Sequence, residues 1–223
     1  MTDDDRSLLR EEVTRFGVDL TENHLAAFDI LVDELIRWNR SINLTAIHNP
    51  REIVVKHLID SLSVTPFTKG AQTILDIGSG AGFPSLPLAI THRGVAIHSV
   101  ESSAKKGAFQ KQIVRLLSLP HVTVHTSRIE AIPPGRIPLA DLVLSRAFRS
   151  LREFIPISIP FLAPGGIILA MKGKGWSEEI REAQKIMDAW RVGIWDEQSV
   201  NLPFGMGMRV IIALKRSDQL QSP

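Results

Sequence analysis

The sequence predicts an α/β fold: a doubly wound, seven-stranded, mostly parallel sheet with an antiparallel last strand, preceded by a helical extension. Three observations lead there. From about residue 71, short apolar runs alternate with helical stretches, as expected for strands joined through crossover helices. The first run enters a glycine-rich turn, Gly78-Ser79-Gly80-Ala81-Gly82. The last two runs are separated only by residues 201–207, too few for a parallel crossover, so those strands pair as a hairpin.

Residues 1–70 read as helices. Asp3, Asp4 and Asp5 fall in a first helical turn, where negative charge suits the helix dipole. Thr21 caps a second helix whose Leu25, Phe28, Leu31, Leu35 and Trp38 recur at helical spacing. Asn49-Pro50-Arg51-Glu52 opens a third, with Asn as N-cap, Pro in the first turn and Glu closing a capping box. That helix carries Ile53, His57, Leu58 and Leu62 on one side and stops before Pro66. The predicted strands are Thr73–Ile77, Val95–Val100, Val122–His125, Asp141–Ser145, Ile167–Met171, Val192–Val200 and Met208–Leu214. Helices fit between the first six, starting near Pro84, Ser103, Ile129, Leu151 and Ser177, with Pro156 and Pro160 shortening or kinking the fourth. The expected division is a helical extension over 1–70, a sheet domain over 71–216 and a loose polar tail over 217–223.

Composition removes several chemistries. The 223 residues contain no cysteine and no tyrosine, which excludes disulfides, thiolate metal sites and covalent catalysis by either side chain. No apolar run approaches the roughly 18 residues of a membrane span, and the acidic start is unlike a secretory signal. The chain is therefore expected to be cytoplasmic. The net charge of +2 is uneven: residues 71–150 hold nine Lys and Arg against four Asp and Glu, whereas residues 1–70 hold eight against twelve. A basic middle suits a polyanionic partner, although ordinary solvated lysines and arginines would give the same count.

The glycine turn carries the strongest chemical signal. A dinucleotide site wants G-x-G-x-x-G; here Phe83 stands at the last position, a bulky ring where a pyrophosphate needs room. The G-x-G-x-G spacing suits instead a ligand without phosphate, such as S-adenosylmethionine (AdoMet), or a tight turn alone. Glu101 ends the next strand, where a carboxylate can accept from both ribose hydroxyls or cap the helix near Ser103. Ile129 and Glu130 follow the third strand, placed to read an adenine edge or to form an ordinary helix start. Arg146 ends the fourth strand, a permanent cation for a carboxylate, phosphate or base, or else a surface arginine. His121 and His125 lack a third ligand at suitable spacing, and no metal is expected. Lys105 and Lys106 can touch phosphate or water, and Trp38 reads as a helix anchor.

Taken together, these segments resemble the bacterial small-subunit rRNA (guanine-N7) methyltransferases of the glucose-inhibited division protein B (RsmG) type. The resemblance spans about residues 20–215. It rests on Trp38-Asn39-Arg40-Ser41-Ile42-Asn43-Leu44-Thr45, His57-Leu58-Ile59-Asp60-Ser61, Asp76–Pro84 and Glu101-Ser102 with Lys105-Lys106. Ser127-Arg128, Ser145-Arg146-Ala147-Phe148 and Leu162-Ala163-Pro164-Gly165-Gly166 with Lys172-Gly173 follow in the family's order. Ser85 departs from the glycine usual there, with an expected effect on helix–strand packing. The resemblance implies a Rossmann-like AdoMet-dependent methyltransferase fold, with AdoMet contacts at Gly78, Gly80, Phe83, Glu101, Ile129, Glu130 and Arg146. It also implies 16S rRNA or the small ribosomal subunit as partner, with the protein acting as a monomer. Guanine N7 carries a lone pair and no proton, so in-line methyl transfer needs no general base, and Arg146 is the candidate catalytic residue, holding either guanine O6 or the methionine carboxylate. A non-catalytic RNA-binding module on the same fold is the alternative.

Overall fold

The computed structural model describes residues 1–133, 135–146, 148 and 150–217. The expected loose tail, from 218 onward, and Ala147 of the Ser145–Phe148 motif lie outside the described residues.

The extension begins with α1 (Asp3–Thr14), where Thr2 and Asp5 form a reciprocal capping box, and α2 (Glu22–Asn39), capped by Thr21. Leu25, Phe28, Leu31, Val32 and Leu35 line the buried side of α2. The next helical run differs from the sequence expectation in two ways. Asn49 does cap α3 (Pro50–Ile53), but the Glu52 carboxylate pairs with Lys56 at 2.7 Å instead of returning to the cap. The run then widens into a π-helical segment, Val54–Ile59, before α4 (Asp60–Leu62). It is buried nearly all round, Val54 and Val55 included, because it is enclosed by the other helices and by the sheet domain. A single 3₁₀ turn, Thr65–Thr68, leads to the sheet.

The strands are β1 (Thr73–Ile77), β2 (Ala96–Val100), β3 (Val122–His125), β4 (Ala140–Ser145), β5 (Leu162–Lys172), β6 (Val192–Asn201) and β7 (Met208–Arg216). Their order is β3-β2-β1-β4-β5-β7-β6. The first five pair in parallel, and β7 runs antiparallel to both β5 and β6. Helices α5 (Ser85–Thr91), α6 (Ala104–Leu116), α7 (Leu151–Ser158) and α8 (Trp176–Ala189) complete the wrapping.

Two further expectations fail. No helix starts at Ile129: the connection between β3 and β4 is one 3₁₀ turn, Ile129–Ala131, because Pro133 follows and cannot continue a hydrogen-bonded ladder. Strand β5 begins at Leu162 rather than Ile167, with Leu162 pairing Ala140 and a register shift before Ile167 pairs Leu142. The Pro164-Gly165-Gly166 stretch is thus an irregularity inside the strand, with Gly165 at φ +81°.

Strand residues alternate between two cores. Ile74, Leu142, Leu144 and Leu169 face α5, α6 and the N-terminal helices, whereas Leu75, Val143, Ile168 and Ala170 face α7 and α8. The extension and one face of the sheet share a continuous buried cluster from Leu9 to Ala213. The chain winds outward through β1, β2 and β3 and then returns to β4 beside β1. The carboxyl ends of β1 and β4 therefore flank the switch point at which such sheets open a crevice. Gly78 and Arg146 are the residues that follow those two strands.

Candidate functional site

The glycine turn is tied down before it can hold anything. Gly78 and Ser79 donate their backbone N–H groups to Val100 O at the end of β2, at 2.9 and 3.1 Å. Beneath the turn lies a polar cluster that no local pattern announced. Gln110 Nε2 donates to Ser79 Oγ and to Gly80 O, both at 2.8 Å, and Gln110 Oε1 accepts from Ser99 Oγ at 2.6 Å. Ser79, Ser99 and Gln110 are all buried, and satisfied buried networks of this kind fix a single backbone path. Gly78 and Gly82 serve different ends. At Gly78, with φ +75°, an added Cβ would meet nothing within 4 Å: the space above is open. At Gly82 it would lie 2.5 Å from Leu86, so that glycine exists for close helix packing.

Glu101 is 8% exposed and braces the same turn. Its Oε2 accepts from Gly80 N at 2.8 Å and its Oε1 from Ser103 N at 2.7 Å, which ties the turn to Ser103, the residue that caps α6. A carboxylate accepts about four hydrogen bonds, which leaves one lone pair per oxygen. Below, Asp76 is fully buried, and Ser85 donates to its Oδ2 through Oγ at 2.6 Å and N at 3.2 Å. The serine that replaces the usual glycine thus partners a buried acid. Burial nevertheless pushes the Asp76 carboxyl up to about 7.

Two cavities meet at Gly78. The larger, about 470 Å³, is lined by Ile77, Val100 and Ile129 as apolar walls, with Ser102, Ser127, Arg128, Glu130, Phe148 and Glu153 around them. This size and mixture suit a nucleoside-sized ligand. Ile129 and Glu130 fall here, as their position after β3 suggested. Glu101 is not among the lining residues; it supports the turn from the side. The smaller cavity, about 140 Å³, is bounded by Gly78–Ala81, Phe83, Leu44, Thr45, His57 and Arg146. Phe83 is buried and stacked on His57, ring centroids 4.5 Å apart.

Arg146 reaches this second cavity, but the extension holds it. Its Nη1 donates to Lys56 O at 3.0 Å and its Nη2 to His57 Nδ1 at 2.9 Å, and Asp60 Oδ2 lies 3.2 Å away as an ion pair. Arg209 of β7 donates through Nε to the other Asp60 oxygen at 2.8 Å. The His57 ring, buried and facing Arg146, has its pKa pulled down to about 3 and is neutral. It sits in the π-helical segment, a feature frequent at functional sites. Thr45 is positioned by Asn39, whose Oδ1 accepts from the N–H groups of Leu44 and Thr45 and whose Nδ2 donates to Thr45 O. Thr45 and Asp60 stood in the sequence only as letters of a signature, and His57 besides only as one residue of a helix face. No periodicity could bring them to Arg146, roughly 90 residues onward, because long-range pairing has no local trace.

Elsewhere, His125 pairs with His98, Nε2 to Nδ1 at 3.1 Å, while His121 contacts Ala89 O instead of sharing a site with it. Among the described residues no group of three or more His, Asp or Glu side chains is placed to hold a metal ion. Trp38 packs edge-on against Phe109 of α6, an anchor between extension and sheet domain.

A family model described as rRNA small subunit methyltransferase G matches residues 24–194, most of the chain. The chain belongs to this family. A Ribosomal RNA small subunit methyltransferase G from Geobacter sp. (strain M21) is 38% identical over 212 residues, covering 95% of this chain and 98% of that protein. The protein of the same name from Neisseria meningitidis is 40% identical over 172 residues, covering 77% of this chain and 82% of its own length. Among solved structures, an O-methyltransferase from Bacillus cereus in complex with SAH superposes with a TM-score of 0.60 at 18% identity, covering 83% of this chain and 90% of that one. At that identity the likeness concerns the fold, and membership of the family makes the chain a methyltransferase.

Proposed function

We propose that this protein transfers a methyl group from AdoMet to N7 of a guanine in 16S ribosomal RNA, in the cytoplasm and as a monomer. The observation that carries the reading is the two-part cleft at the switch point, opening on a glycine turn whose Gly78 leaves room for a ligand. The larger cavity fits the nucleoside of AdoMet, with the ring between Ile77, Val100 and Ile129, its amino edge toward Glu130, and the ribose hydroxyls toward the remaining lone pairs of Glu101. The smaller cavity fits the amino-acid end, beside Arg146. When bound, AdoMet supplies a methyl group activated by its sulfonium.

The chain's own contribution is positioning. N7 has a lone pair and no proton to remove, so no base is called for; holding two reactants in line contributes up to roughly 7–11 kcal/mol toward lowering the barrier. The nearest titratable ring, His57, is neutral and engaged on both nitrogens, which suits a scaffold rather than a proton shuttle. The target guanine must be presented unstacked, because N7 faces the narrow major groove of A-form RNA. The basic middle segment supplies phosphate attraction. No described helix is long and apolar enough to cross a membrane. The open cradle at Gly78 disfavours an RNA-binding module without catalysis.

The test is methyl transfer from labelled AdoMet to small ribosomal subunits that lack the modification. Label at guanine N7, mapped by borohydride–aniline cleavage, is expected; label absent or on another atom refutes the reading.

A further inference from the structure

The hydrogen-bond polarity around His57 is fixed from one end. The Arg146 guanidinium can only donate, so His57 Nδ1, 2.9 Å from Nη2, must accept. The neutral ring then carries its proton on Nε2 and donates it to Thr45 Oγ1 at 2.9 Å. Ile47 N–H donates to the same oxygen at 3.1 Å. A hydroxyl has two acceptor lone pairs and one O–H donor. Both lone pairs of Thr45 are filled, and its O–H has no acceptor among the described residues. Thr45 is half-buried and borders the smaller cavity, so the hydroxyl can only donate to whatever enters.

We infer that Thr45 binds the carboxylate of the AdoMet amino-acid end, a donor furnished by the helical extension to a ligand otherwise held by the sheet domain. The inference rests on the AdoMet reading above. Three features favour a carboxylate over a base carbonyl. The cavity of about 140 Å³ is too small for a nucleoside and joins the nucleoside cavity at Gly78, so the two take parts of one ligand. Its wall is the glycine turn itself, across which the chain of that ligand must run. Arg146 brings positive charge to the same space, with only two of its five N–H groups hydrogen-bonded among the described residues.

The experiment compares two ligands by titration calorimetry. S-adenosylhomocysteine has the carboxylate; 5′-methylthioadenosine keeps the nucleoside and lacks the amino-acid end. Thr45→Val is expected to weaken S-adenosylhomocysteine about tenfold, the scale of one hydrogen bond to a charged group, while methylthioadenosine stays within twofold. Thr45→Ser is expected to restore wild-type binding of both. Equal weakening of both ligands by Thr45→Val assigns a structural role and overturns the proposal. Unchanged S-adenosylhomocysteine affinity also overturns it, and if methyl transfer is lost in that case the hydroxyl serves the RNA base instead. A wild-type chain that binds neither ligand refutes the AdoMet reading itself, which no substitution is needed to reveal.

Discussion

At the scale of single residues, the site holds two buried titratable groups whose pH effects oppose each other. Asp76 is raised to about 7, so the folded state binds its proton more tightly than the unfolded chain, and its contribution to stability falls as pH rises from about 4 to 7. His57 is lowered to about 3, so the unfolded chain binds the proton more tightly, and stability falls as pH drops from 6.5 toward 3. His92, His98 and His125, also lowered by burial, add to the His57 slope, so Asp76 opposes the histidines as a group. Compared with wild type, urea midpoints measured between pH 4 and 6.5 should rise more steeply with pH in Asp76→Asn and less steeply in His57→Gln. Parallel profiles for both variants would contradict these shifts. A second prediction concerns Asp60, fully buried between Arg146 and Arg209. Arg146→Ala leaves one partner, and the expected loss is about 3 kcal/mol by denaturant unfolding, together with reduced transfer. At this scale the sequence announced Gly78, Glu101 and Arg146, because strand ends and glycine spacing are local signals. It was silent on Gln110, which reads as a polar helix residue until the fold puts it under the turn.

At the scale of elements, the sheet was largely legible. Thr73–Ile77 and Val122–His125 are strands within the limits their apolar runs set, and the short 201–207 connection gives the antiparallel hairpin. Failures occurred where tertiary context or proline chemistry overrode a local pattern. The stretch after Arg128 has an acidic, helix-like start but makes only one 3₁₀ turn ahead of Pro133. The Asn49 helix reads as one-sided, yet its π-helical middle turns extra residues inward and the whole run is enclosed. Strand β5 reads as starting after two glycines, whereas Leu162 already pairs with Ala140. That irregularity makes a prediction: a Cβ at Gly166 would lie 2.8 Å from Leu162 Cδ1 and 3.0 and 3.1 Å from the carbonyl oxygens of Ala163 and Ala140. Backbone oxygens cannot move aside as a side-chain tip can, so Gly166→Ala should cost about 1–3 kcal/mol. Gly94→Ala, where a Cβ meets nothing within 4 Å, should fall within about 0.5 kcal/mol of wild type. Comparing the two melting curves checks the pair.

At the scale of the whole molecule, the helical extension is part of the core. Phe28, Leu31 and Leu58 belong to the same buried cluster as Leu88, Phe109 and the strand residues Ile74 and Leu144. The boundary at residue 70 marks a change of architecture and not a gap in packing. A chain starting at residue 71 would expose that face, along with the partners of Arg146. It is expected to show no cooperative thermal transition by circular dichroism, and AdoMet binding should be lost with it. A truncated chain that melts cooperatively would show that the sheet domain holds itself together. The extension's contribution to the site was not legible in the sequence because Thr45, His57 and Asp60 meet Arg146 only through this shared core.

Strand β7, the final one along the chain, lies between β5 and β6, and its Arg209 grips the carboxylate that steadies Arg146. During synthesis that slot beside the β6 edge must stay vacant until residues 208–216 have emerged, after the other six strands. A nascent chain therefore cannot complete the Arg146–Asp60–Arg209 cluster beside the cleft until all seven strands have been made.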